Sequence, residues 1–94
     1  MKIVWDERKR HINLLKHGLD FECLLDADWN DVAIMPAYPS HHGHERFLLV
    51  GSFGGNILTA VISRLGSEAV SIVSLRRASK SEKMRLLWSR QEHR

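Results

Sequence analysis

Apolar positions along the chain change their period twice. "KIVW", residues 2–5, is a short apolar opening that reads as an edge strand. Asp6 stands where a helix N-cap would, and Ile12 and Leu15 recur at helical spacing. The stretch "KHG" closes that helix at Gly18, because glycine enters the left-handed conformation past a helix end at little cost. Asp20 caps a second, short helix whose apolar face is Phe21, Leu24 and Leu25. From there the pattern turns to strands and turns. "DVAIMP" is a strand stopped by Pro36, "AYPSHHGH" a polar loop, "RFLLVGS" a strand, "FGGN" a turn, "ILTAVISR" a strand, "LGSE" a turn and "AVSIVSL" a strand. Ser79 and Glu82 then make a capping-box pair, and Met84, Leu87 and Trp88 give the closing helix an apolar face. The short connections favour hairpins. The expected fold is α+β: a small antiparallel meander with two N-terminal helices and a C-terminal helix.

Composition narrows the class. Ninety-four residues, 44% hydrophobic and 27% charged, predict one globular domain over 1–94 with a modest core. No apolar run approaches the roughly 20 residues of a membrane-spanning helix, and "MKIVWDERKR" turns charged too soon for a signal peptide. A single cysteine, Cys23, excludes an internal disulfide and suits a reducing cytoplasm; it reads as a buried, inert thiol. The net charge of +3 is unevenly spread. Asp20, Glu22, Asp26, Asp28 and Asp31 form an acidic stretch, whereas Arg76, Arg77, Lys80, Lys83, Arg85, Arg90 and Arg94 outweigh Glu82 and Glu92 near the end. Such asymmetry suits a polyanionic partner without naming it.

The candidate chemistry centres on "SLRRASKSE", residues 74–82. Neighbours on a strand point to opposite faces, so one of Arg76 and Arg77 faces a groove on the sheet while the other points outward or toward a partner. The alternative is a pair of solvated charges at a strand end. Arg64 ends the preceding strand near Val70, and either borders the same surface as Arg76 or is a charge that caps the turn. Glu45 and Arg46 open the middle strand; Glu45 is a candidate general base or a salt-bridge partner of an arginine. Lys16 and His17 end the first helix, where positive charge complements the helix dipole; Lys16 could also contact phosphate, and His17 could carry a proton. His41, His42 and His44 invite a metal reading, but no Cys or second His cluster completes a tetrahedral set, so a histidine-bearing loop and no metal is expected. Trp5, Trp29 and Trp88 suit core or interface better than base stacking, and Trp88 is the interface candidate.

These residues together resemble the BrnT family of bacterial ribonuclease toxins. The resemblance rests on "WDERKRHINLLKHGLDF" (residues 5–21), "HERFLLVG" (44–51), "LTAVISR" (58–64) and "VSLRRASKSE" (73–82). One departure is Ser71, where the family often carries a basic residue. The resemblance implies a RelE-like fold and an endoribonuclease that needs no metal or other cofactor. In such an enzyme the ribose 2′-OH attacks the adjacent phosphorus and cations stabilise the charge that builds on its oxygens. It favours Arg76 as the phosphate-facing arginine, with Arg64 helping to hold and stabilise the phosphate, Glu45 or His17 moving protons, and Lys16, Arg46, Arg77 and Lys80 guiding the strand. It also implies a BrnA antitoxin, operator DNA bound only through that complex, and a toxin dimer or a heterotetramer with the antitoxin. A rival from another class is a non-catalytic module, descended from such toxins, that binds protein or nucleic acid without cutting.

Overall fold

The structure, a computed structural model, describes residues 2–37 and 43–92. Five strands form one sheet: β1 Lys2–Trp5, β2 Val32–Pro36, β3 Arg46–Phe53, β4 Asn56–Leu65 and β5 Ala69–Arg77, in the spatial order β1-β5-β4-β3-β2. Helix α1 spans Glu7–His17 and α2 spans Lys80–Glu92. The local signals behave as their chemistry requires. Asp6 accepts from the Arg8 amide, and Gly18 ends α1 at φ 68°. Gly54 and Gly55, at φ 60° and 84°, make the tight β3–β4 turn that a right-twisted hairpin favours.

Strands β2 to β5 form the antiparallel meander, but β1 pairs with β5 in parallel, from Lys2 opposite Ala69 to Trp5 opposite Ile72. The sheet is therefore mixed, not purely antiparallel. Turn residues report only on strands adjacent in sequence; β1 finds its partner through burial, since Ile3 and Trp5 pack against the main core. The second expected helix is a 3-10 helix, Phe21–Asp26. At three residues per turn Phe21 and Leu24 eclipse and are both buried, while Leu25 turns a third of a revolution away and is exposed.

One sheet face carries Leu49, Phe53, Leu58, Ala60, Ile62, Ile72 and Leu75 under Phe21, Leu24 and Leu19. Trp5 and Trp29 flank this core, with Trp5 edge-on to Phe21 at 6.2 Å between ring centres. Cys23 packs there half-buried, and burial pushes its thiol pKa up, as an inert thiol requires. The other face carries a small cluster of Ala33, Val50 and, from α2, Leu86. A bulge decides which residues face which way. Ser74 opposes Val61 and Ile72 opposes Ile62, so Val73 is the extra residue of β5. Without it Ile72 and Leu75, three apart, would point to opposite faces; with it both enter the main core.

Both helices invert the expected burial. Ile12 and Leu15 of α1 are exposed, and the buried residue is Asn13. Its amide donates to Leu75 O at 2.9 Å and to Leu19 O at 3.2 Å, and its Oδ1 accepts from Leu75 N at 3.0 Å. Strand β1 stops pairing at Ile72, so this side chain takes the place of the missing strand at the edge of β5. In α2, Glu82 and Leu86 are buried while Met84, Leu87 and Trp88 are exposed. Replacing Asn13 with Ala strands the Leu75 amide and carbonyl. Urea unfolding of that variant should show a loss of about 2–4 kcal/mol, with Asn13→Asp also destabilising because it lacks the donor.

Candidate active site

The buried carboxylate of Glu82 organises the C-terminal end of β5. Ser79 and Glu82 form the reciprocal capping box of α2: the Glu82 amide donates to Ser79 Oγ at 3.2 Å, and the Ser79 amide donates to Glu82 Oε1 at 2.7 Å. Thr59 Oγ1, buried on β4 directly opposite Arg76, donates to the same oxygen at 3.0 Å. Arg76 completes the set with two parallel bonds, Nη1 to Oε1 at 2.7 Å and Nη2 to Oε2 at 2.9 Å. These donors hold Glu82 ionised, its pKa lowered to about 2, chiefly by Arg76. A carboxylate so held is a poor proton acceptor near neutrality. Its work is to aim Arg76.

The pairing leaves Arg76 with capacity to spare. A guanidinium has five N–H donors. Two go to Glu82 and one reaches Arg77 O at 3.4 Å, so Nε–H and one Nη2–H remain, on a side chain 37% exposed. Arg77, next along the strand, points to the opposite face and is exposed, as is Lys80 at the start of α2. Neither makes an ion pair among the described residues. The Asn13 anchor lays the last turn of α1, with exposed Lys16 and His17, beside this same end of β5.

Arg64 and Glu45 belong elsewhere. Arg64 opposes Val70, as its place in the hairpin implied, and Thr59 opposes Arg76. The five residue steps from Thr59 to Arg64 set them about 17 Å apart along β4, and the odd spacing puts them on opposite faces. The expected shared surface of Arg64 and Arg76 is corrected by this register. Arg64 donates through Nε to Gly66 O, lies 3.8 Å from Glu45, and borders an apolar cleft of about 260 Å³ with Ile34, Phe47 and Ile62. Both side chains are exposed, and so loose a pair stabilises little. Arg46 lies on the same face as Arg76 but opposite Ser63, four residues from Thr59, and its Nε is buried without a hydrogen-bond partner.

Of the three loop histidines, His41 and His42 lie outside the described residues, and His44 is exposed. No three His, Cys, Asp or Glu residues cluster to hold a metal among the described residues. The acidic stretch is partly spent inside the fold: Asp20 takes two bonds from Arg10, and Asp31 takes two from Arg90. What sequence reasoning missed is Glu82 as a ligand of Arg76. The capping-box spacing located Glu82, but nothing local indicated that an arginine six residues earlier would share its carboxylate.

Comparison with known proteins gives two findings. A family model described as "Ribonuclease toxin, BrnT, of type II toxin-antitoxin system" matches residues 5–82. The crystal structure of the Brucella abortus ribonuclease toxin BrnT is similar, with a TM-score of 0.71 and 38% identity over 85% of this chain and 99% of that one. No curated protein matches the chain significantly.

The Glu82 constellation has an acid signature. Its folded pKa lies below the ordinary 4.5, so its contribution to stability is present above about pH 4.5 and is lost as pH falls toward 2. Asp20 and Asp31, also lowered by their arginines, add to the same slope. Glu82→Gln should therefore flatten the fall in denaturation midpoint between pH 6 and 2. It should cost about 1–3 kcal/mol at pH 7, a half-exposed Arg76 being left without its counter-charge.

Proposed function

The chain belongs to the BrnT family of ribonuclease toxins of type II toxin–antitoxin systems, and from that premise we propose that it cleaves RNA at the C-terminal end of β5 without a metal ion. The observation that carries this reading is the gathering of cations around one strand end: the aimed Arg76, the uncompensated Arg77 and Lys80, and the last turn of α1 with Lys16 and His17. Arg76 offers its two spare N–H donors to non-bridging oxygens of the scissile phosphate. Arg77, the last residue of β5, reaches around the strand end from the opposite face with charge that no carboxylate among the described residues cancels, which matters most as the phosphorane oxygens gain negative charge. Lys16 and Lys80 hold the flanking phosphates.

The ribose 2′-OH attacks phosphorus, the P–O5′ bond breaks, and the products are a 2′,3′-cyclic phosphate and a 5′-hydroxyl. His17, at this end of the sheet, takes the 2′-OH proton as that oxygen attacks and delivers a proton to O5′ as the P–O5′ bond breaks. Glu45 stands at the far end beside Arg64 and cannot serve the same phosphate. The antitoxin, a BrnA-like protein encoded beside the toxin, neutralises it by covering the cationic end with acidic groups, and operator DNA is bound through that complex. The rival reading, binding without cutting, draws support from the neutralisation of Arg76 by Glu82, which weakens one of the two arginines as a stabiliser of charge.

Incubation of the purified protein with single-stranded RNA in EDTA should release fragments bearing cyclic phosphate and 5′-hydroxyl ends. Arg77→Ala and Arg76→Ala should each slow cleavage by about a hundredfold or more, while Arg64→Ala stays within a few-fold of wild type. The reverse pattern would move the centre to the Arg64–Glu45 end. Binding of RNA with no cleavage under any buffer condition would establish the non-catalytic reading instead.

A further inference from the structure

Helix α2 turns its apolar stripe to solvent. Glu82, Leu86 and Ser89 face the sheet: Glu82 through Thr59 and Arg76, Leu86 through Ala33 and Val50, and Ser89 through a 3.5 Å bond to Val32 O. Half a turn around the helix, Met84, Leu87 and Trp88 are 43%, 47% and 50% exposed. At spacings of three and four residues they form one continuous ridge. Trp88 carries the ridge to the edge of the sheet, where it lines a cleft of about 170 Å³ with Ala33, Arg85, Ser89 and Glu92. Three large apolar side chains within five residues of one exposed helix face are more than scattered surface hydrophobicity.

The charges around the ridge specify its occupant. Of the described cations from Arg76 onward, Arg76 is matched by Glu82 and Arg90 by Asp31. Arg77 at the strand end and Lys80, Lys83 and Arg85 along the flanks of the ridge remain, all exposed and without an ion pair among the described residues. Lys80 and Lys83 also occupy the first turn of α2, where positive charge opposes the helix dipole. The only acidic residue in that turn, Glu82, is buried and committed to Arg76. The local arrangement is unfavourable in the isolated chain, and an anionic partner would relieve it.

From this we infer that the Met84–Leu87–Trp88 ridge of α2, flanked by Lys80, Lys83 and Arg85, is a docking surface for an acidic amphipathic helix of the antitoxin. The inference rests on the proposal that an antitoxin protein neutralises this toxin, and it names the surface. Apolar residues at i, i+3, i+4 and i+7 on the incoming helix meet the ridge, and carboxylates beside them pair with the lysines. Phosphodiester could satisfy the lysines, but it would leave Met84 and Leu87 in water; a protein segment satisfies both. Because Lys80 also stands beside Arg76 and Arg77, a helix seated here blocks the cationic end of β5 directly.

The test uses the full-length toxin and the protein encoded beside it. Leu87→Glu and Trp88→Ala, each checked for an unchanged circular dichroism spectrum, should weaken the complex by at least about thirtyfold. Met84→Glu serves as a second ridge variant should Trp88→Ala perturb the cleft. RNA cleavage by the free variants should stay within a few-fold of wild type, and excess antitoxin should no longer suppress it. Lys83→Glu should weaken the complex and reduce its dependence on salt. Ridge variants that bind the neighbouring protein as tightly as wild type overturn the inference. So does loss of RNA binding in Leu87→Glu, which would assign the ridge to RNA. If the wild-type toxin ignores its neighbour while still cutting RNA, the antitoxin reading itself fails together with this surface.

Discussion

A single carboxylate ties the second face of this protein together. Glu82 receives hydrogen bonds from the turn that starts α2, from Thr59 on β4 and from Arg76 on β5, so it caps the helix and fixes it to two strands of the sheet. Apolar packing alone would not do this. On that face the buried apolar cluster is only Ala33, Val50 and Leu86. Buried ion pairs are weak sources of net stability, because desolvation opposes the Coulombic gain. They are strong sources of geometry, and here the geometry concerns an arginine that keeps two N–H donors unspent on a part-exposed side chain.

Asn13 does a parallel task on the other side. Strand β1 is four residues long and leaves the upper edge of β5 unpaired, yet an open, buried edge would strand an amide and a carbonyl at Leu75. One side-chain amide satisfies both and locks α1 in place. Two polar residues, each buried and fully bonded, thus position the elements that bring Lys16, His17, Arg76, Arg77 and Lys80 to one end of the sheet. Polar anchoring also explains why the apolar stripes of both helices are free to face solvent.

The proposed function needs two states of one surface: open to RNA, and closed by a partner. The distribution of bonding capacity fits that requirement. Arg10, Arg76 and Arg90 each pair with a carboxylate within the fold, while Arg77, Lys80, Lys83 and Arg85 pair with none among the described residues. Cations left unpaired among the described residues are available to phosphate or to acidic side chains, and on the proposed function their clustering at the junction of β5 and α2 lets the two compete.

Much of this was legible in the residues themselves. The cap at Asp6, the left-handed Gly18, the glycine turn after Phe53, the Ser79–Glu82 box and the opposition of Arg64 to Val70 are all local or hairpin-borne, and local chemistry decides them. The family motifs along residues 5–82 were likewise readable without coordinates. Three things were not. The parallel partner of β1 lies more than sixty residues away and is chosen by burial, which no turn signal encodes. The bulge at Val73 sets which of two adjacent arginines meets α2, because one extra residue reverses every facing beyond it. And the inward faces of α1 and α2 depend on what each buried polar group could bond to: Asn13 and Glu82 found partners on β5 and β4 that exist only once the sheet has formed. Sequence determined the elements and the family; tertiary structure decided where the charges gather, since hydrogen-bond complementarity across distant segments outweighed the periodicity of apolar residues within each helix.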